Sequence, residues 1–300
     1  MKNLTFAILG PGSVGGFLAA LLCRQNIPVT CIVKEESVDL LSKEGLKIES
    51  VLFGDFTAYP KIVSTLNGAV DFLLITTKAT GLEEALDRVD LKLFSQTVII
   101  PLLNGIEHMK IIRSRFGKHV VAGSISGVEV KRKSINHIVH TTPSVFIKLA
   151  SHQDVSADKL NQFAELFNAI GIKTEIRDNE AAVLWDKLVR LNAIACTTSA
   201  SGQPIGYVRT DPWWRKQLED CVKEAAAVAT EEGVLTDTKK VLETIDSLPA
   251  GLSTSMHRDV IAGKSSELDA IAGAVVRRAT RYNLDCPTIK GLIDKIKKEK

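Results

Sequence analysis

Over the first hundred residues, short apolar runs closed by glycine or proline alternate with stretches in which apolar side chains recur at helical spacing. Residues 4–9 read as a buried strand. A glycine-rich turn follows, and Leu18, Leu21 and Leu22 then mark a helix over 17–24. Pro28 closes it, and 29–33 reads as a second strand. Strand, helix, strand predicts a βαβ unit. Further strands are predicted at 72–76 and 97–101, separated by a helix over 81–89. Such alternation predicts a parallel sheet with helices on both faces.

The middle of the chain has another texture. Residues 120–130, 135–141 and 145–149 alternate β-branched with polar side chains and predict antiparallel strands attached to the edge of that sheet. An amphipathic helix over 157–169 and a short strand over 173–176 follow. After about Asp178 strand-like runs stop. Residues 181–195, 213–232, 238–245 and 265–282 read as helices, rich in Ala, Glu, Lys and Leu. Gly202-Gln203-Pro204, Asp211-Pro212 and Pro249-Ala250-Gly251 break them. The expected organisation is an α/β domain over 1–177 followed by an all-helical domain over 178–300. A reacting site would lie in the cleft between them.

Composition excludes several classes. A chain of 300 residues suits two domains of ~150 each. Lys+Arg 38 against Asp+Glu 35 leaves +3, which argues against a dedicated nucleic-acid binder. With 45% hydrophobic and 24% charged residues, long disorder is not expected. Five scattered cysteines form no Cys-x-x-Cys pair, so free thiols in a reducing cytoplasm are expected, without metal or disulfide framework. No apolar run reaches the ~18 residues of a membrane span, and residues 1–9 lead straight into the glycine turn rather than forming a signal. The closing Lys295, Lys297, Lys298 and Lys300 read as a solvated helix end. His137 and His140, three apart in a strand-like run, point to opposite faces and make a poor metal pair. The chain is expected as monomer or homodimer, with Trp213 and Trp214 equally suited to an interface or a core.

Gly10-Pro11-Gly12-Ser13-Val14-Gly15 carries the strongest chemical signal. It follows a strand, opens a helix and precedes a second strand. Gly10 permits the tight turn, Gly12 lets the backbone approach a pyrophosphate, and Gly15 lets helix pack on strand. The helix N-terminus offers N–H groups and a positive dipole end to phosphates. This predicts a Rossmann-type dinucleotide-binding domain.

The end of the second strand selects the cofactor. Dinucleotide sites for NAD place an acid there to bind the ribose 2′-OH. Here the strand ends at Lys34, which favours the 2′-phosphate of NADP, although Glu35 and Glu36 follow at once. Lys78 and Asn104 fall just past the next two predicted strands, where an open α/β sheet binds its ligands.

Together these residues resemble the ketopantoate reductases (2-dehydropantoate 2-reductases). The resemblance rests on Gly10–Gly15, Thr77-Lys78-Ala79, Leu103-Asn104-Gly105, Trp185-Asp186-Lys187-Leu188, and Ser255-Met256-x-x-Asp259 followed by Glu267. It spans nearly the whole chain and implies NADPH-dependent reduction of 2-dehydropantoate on the way to pantothenate and coenzyme A. It further implies that Lys187 is catalytic, that Glu267 helps hold the lysine or the cofactor, that Ser255 binds the substrate carboxylate, and that Asn104 touches both ligands. Trp185 reads as packing. The family pattern after the lysine is Lys-Leu-x-x-Asn-x-x-x-Asn, and here its Asn positions are Leu191 and Ala195, with Asn192 one place late as a candidate substrate ligand. Leu252 stands where another Asn is usual. The cofactor half of the pattern is therefore intact and the substrate half altered. A related reductase of another 2-keto acid, or a non-catalytic NADP-binding protein of the same fold, are the alternative readings.

Overall fold

The computed structural model describes residues 4–90, 96–151 and 154–298. Lys300 lies outside them. The chain divides into two compact units, one of Met1–Leu103 and His108–Val183, the other of Asn104–Glu107 and Leu184–Lys300.

The first unit opens with β1 (Phe6–Leu9), α1 (Ser13–Arg24) and β2 (Val29–Ile32). Then come α2 (Val38–Glu44), β3 (Leu46–Ser50), β4 (Phe56–Ala58), β5 (Lys61–Val63) and β6 (Phe72–Ile75). Helix α3 (Leu82–Leu86) and β7 (Val98–Pro101) complete a five-stranded parallel sheet of order β5-β2-β1-β6-β7. Strands β1, β6 and β7 are buried along their length, as expected of a sheet covered on both faces. Helix α1 buries a continuous run from Gly15 to Leu22.

After α4 (His108–Phe116) come β8 (Gly123–Ser126), β9 (Val130–Ser134), β10 (His137–His140), β11 (Phe146–Ala150), α5 (Ala157–Ala169) and β12 (Lys173–Arg177). Among the described residues these strands join the edge of the parallel sheet only through a bridge between Ile99 of β7 and Val120, and do not continue it as strands. They build two further sheets, of orders β4-β3-β10-β9 and β12-β11-β8. Among the three runs the expected antiparallel pairing is present, β9 with β10 and β8 with β11, while β10 also pairs with β3 and β11 with β12 in parallel. Parallel partners come from distant or crossover-connected segments, which alternation within one strand cannot reveal. Phe6, Phe72, Phe163 and Phe167 pack as one aromatic cluster, with Phe6 and Phe72 stacked at 5.1 Å and the two α5 rings at 4.2 Å.

On β10, His137 meets Glu49 at 2.7 Å on the open face. His140 is buried on the other face between Ser50 and Thr142, each at 2.9 Å, with the Phe17 ring of α1 4.6 Å away.

The second unit holds α6 (Glu180–Ser201, from Leu184 onward), α7 (Ile205–Thr210), α8 (Pro212–Glu231), α9 (Thr238–Asp246), α10 (Ser255–Ile261), α11 (Ala274–Arg281) and α12 (Pro287–Lys298). No strand occurs among its described residues. The boundary falls inside α6 rather than before it. The first turn of that helix stays with the first unit because Glu180 accepts two hydrogen bonds from Arg113. Asp211 caps α8 through the Trp213 and Trp214 amides, and Glu224 on α8 accepts from the first amides of α12. Trp213 is 55% exposed and Trp185 is fully buried. The expected helix over 265–282 begins later and with a π-turn at Asp269–Gly273 leading into α11.

Candidate active site

Each glycine of the first loop has a separate reason. Gly10 has φ +76°, and a Cβ on it would lie 2.4 Å from Thr77 Cγ2. A Cβ on Gly15 would lie 2.1 Å from Thr76 Oγ1 and 3.0 Å from Ile8 Cγ2. These two glycines are demanded by the turn and by the approach of α1 to the sheet. Gly12 is different: a Cβ there meets nothing nearer than Gly10 O at 3.9 Å. Packing does not require a glycine at 12, and its effect is to keep the backbone open at the start of α1. Thr76 Oγ1 donates to Gly10 O at 2.9 Å and Leu9 O at 3.2 Å, which fixes the loop.

The residues present fit a dinucleotide pyrophosphate. Gly12 is the N-cap of α1 and no side chain caps it, so the first-turn amides of Ser13 and Val14 face an open approach, while Pro11 is buried. The Thr77 hydroxyl is buried with no hydrogen-bond partner among the described residues, as a group awaiting a polar ligand would be. The sequence marks Thr77 only as part of the Thr77-Lys78-Ala79 motif, with no role of its own.

Lys34 and Lys78 follow β2 and β6, the two neighbours of β1, and so flank the glycine loop. Each begins a short 3₁₀ turn with nearly the same backbone, φ −69° and ψ 147° or 150°. Both are exposed. Lys34 pairs with an acid distant in sequence: its Nζ lies 3.3 Å from Glu84 Oε1, contributed by α3.

A second constellation lies within the other unit. Asn104 Nδ2 donates to Glu267 Oε2 at 2.9 Å, and Glu267 is only 5% exposed. The 104–107 segment is held from several directions. A Cβ on Gly105, whose φ is +82°, would lie 2.2 Å from Ala270 O. Arg277 ties Glu107 to Asp269 through hydrogen bonds of 2.6–3.1 Å to both carboxylates. Asn104 is thereby presented to Glu267 by the π-turn that follows it.

Lys187 sits half-buried on α6. Burial pulls its ammonium down to about 8, the Glu267 carboxylate opposes that fall, and Arg190 adds to it. Lys187, Glu267 and Asn104 are therefore brought together. A carboxylate held by an amide beside a lysine brought down to about 8 by burial can support proton donation to a developing oxyanion.

The other candidates are placed differently. Ser255 is exposed on the first turn of α10, whose N-cap is Thr254. Asn192 is fully buried and accepts from Cys196 Sγ at 3.4 Å. Five residues past Lys187, it is turned ~140° around the helix from it. Leu191 falls almost on the lysine's own face and is half-buried, while Ala195, one turn further, is fully buried. Leu252 is half-buried.

The family model for ketopantoate reductase PanE/ApbA matches residues 6–154, and that for its C-terminal part matches 180–300. The chain belongs to the ketopantoate reductase family. As a ketopantoate reductase relative it is an oxidoreductase with a Rossmann-type N-terminal unit and a helical C-terminal one. It is 25% identical to the uncharacterized oxidoreductase YkpB of Bacillus subtilis, over 96% of both chains. It is 23% identical to the 2-dehydropantoate 2-reductase of Pyrococcus horikoshii, over 93% of this chain and 92% of that one. In fold it matches a D-mandelate dehydrogenase solved with NADH and anilino(oxo)acetate, with a TM-score of 0.90, 22% identity, and 99% and 98% of the two chains covered. No helix among the described residues is long and apolar enough to cross a membrane.

Proposed function

We propose that this chain reduces the ketone of 2-dehydropantoate, with NADPH as the hydride donor. The observation that carries the reading is Lys187, brought down to about 8 beside Glu267, which Asn104 holds at 2.9 Å. When bound, the dinucleotide supplies the hydride. The protein's part is to meet the negative charge that grows on the carbonyl oxygen, and the Lys187 ammonium does this by donating a proton to it. Glu267 keeps the ammonium charged against its desolvation. Asn104 fixes Glu267 and orients the reacting groups, and Ser255 at the start of α10 is assigned the substrate carboxylate. Gly10–Gly15, Lys34 and Lys78 hold the cofactor.

One specific observation favours a second substrate. Beside Lys187 the helix presents Leu191, and its asparagine at 192 is turned into the core. That surface suits a 2-keto acid with an apolar side chain, and the fold neighbour solved with anilino(oxo)acetate agrees with such a ligand. NADPH oxidation measured against a series of 2-keto acids, from 2-dehydropantoate to aryl and branched alkyl ones, tests both. The highest kcat/KM on 2-dehydropantoate supports the first assignment. An apolar acid preferred by tenfold or more, ~1.4 kcal/mol in the transition state, replaces it with the second. Turnover of none of them defeats both.

A further inference from the structure

We infer that Glu84 moderates the cofactor preference of this enzyme, because its carboxylate competes with the 2′-phosphate of a phosphorylated dinucleotide for Lys34 and Arg88. The inference rests on reading the glycine loop as the dinucleotide site. Strands β2, β1 and β6 are adjacent, so Lys34 after β2 and α3 after β6 stand on opposite sides of that loop. The Lys34–Glu84 pair therefore joins segments that leave the sheet on either side of β1, two strand spacings or ~10 Å apart. Glu84 Oε1 lies 3.3 Å from Lys34 Nζ and accepts from Arg88 Nη2 at 2.7 Å.

The fold does not need Glu84. Helix α3 is anchored by Leu82, Ala85 and Leu86, all buried, while Glu84 is exposed. Sites of this class read the ribose at the end of β2, with an acid for a free 2′-hydroxyl or a cation for a 2′-phosphate. Here the cation comes from β2 and the acid reaches over from the far side. With Glu84 ionised, the trio of Lys34, Arg88 and Glu84 carries one net positive charge. With Glu84 neutral it carries two. The pair is exposed and therefore weak, so an incoming phosphate can displace it. Glu84 thus moderates the selectivity that Lys34 confers.

The test is the dissociation constants of NADPH and NADH, read from nicotinamide fluorescence at fixed ionic strength, for the unmodified enzyme, Glu84→Gln, Lys34→Ala and the double variant. Glu84→Gln is expected to tighten NADPH roughly fivefold, the effect of one surface charge a few ångströms away, and to leave NADH within twofold. The double variant should lose that gain. An unchanged NADPH-to-NADH ratio in Glu84→Gln, or a gain that survives loss of Lys34, overturns the inference. If neither dinucleotide binds the unmodified enzyme, the dinucleotide reading itself falls, and the two failures are told apart by that first measurement.

Discussion

The proton donor can be tested by the shape of a pH profile before any residue is changed. Lys187 is held at about 8 where an ordinary lysine titrates at 10.5, and burial is the main cause. At that value about 90% of the enzyme carries the ammonium at pH 7 and about 10% at pH 9. If the ammonium donates the proton, kcat for ketone reduction falls about tenfold between those two pH values. A lysine at 10.5 would lose only a few per cent over the same interval. Glu267→Gln removes the charge that opposes the shift, so the descending limb moves to lower pH. Lys187→Ala removes the limb and lowers kcat by ~10²–10⁴, the usual worth of a positioned acid. NADPH affinity should stay nearly unchanged in Lys187→Ala, because the glycine loop proposed to hold the pyrophosphate is in the other unit. The assay is loss of nicotinamide absorbance under saturating substrate, on both sides of pH 8. A profile flat through pH 9, or full turnover by Lys187→Ala on its best substrate, would refute the assignment.

The glycines should separate by phenotype. Gly12→Val keeps the thermal transition but loses dinucleotide binding, whereas Gly15→Ala, with a Cβ 2.1 Å from Thr76 Oγ1, loses ~1–3 kcal/mol of stability; calorimetry and fluorescence titration distinguish them. The unmodified protein should bind NADPH more tightly than NADH, and Lys34→Asp should abolish the difference; equal affinities before substitution would count against Lys34. Burial lowers the proton affinity of His140 below its ordinary 6.5, so the unfolded chain binds the proton more readily. Stability contributed by neutral His140 is therefore present above pH 6.5 and is lost as pH falls through and below it, and denaturant midpoints in His140→Gln should depend less on pH across that range than those of the unmodified protein.

Local constraints explain what could be read directly from the chain. The β1–α1–β2 frame follows from an apolar run, a glycine turn and a helical period, all acting over a few residues. The duties of Gly10 and Gly15 follow from the absence of a Cβ, and the geometry gives both the reason expected of them, the turn and the approach of helix to strand. Helix α5 matches its amphipathic pattern residue for residue. The change to helices in the second half follows from composition and spacing. Where partners lie far apart, the pattern was silent. Alternation at 135–141 marked a strand but could not say that β3, some ninety residues earlier, would pair with it in parallel rather than the edge of the main sheet. The two reductase motifs named Lys187 and Glu267 only by resemblance, since a charge on a helix is ordinarily solvated. Tertiary structure alone sets Asn104 against Glu267 across 163 positions, brings Glu84 to Lys34, and turns Asn192 into the core. Proton affinity belongs to the same class. A side chain's period and neighbours in sequence are fixed by the covalent chain, but the loss of water that brings Lys187 to about 8 exists only once distant segments close around it.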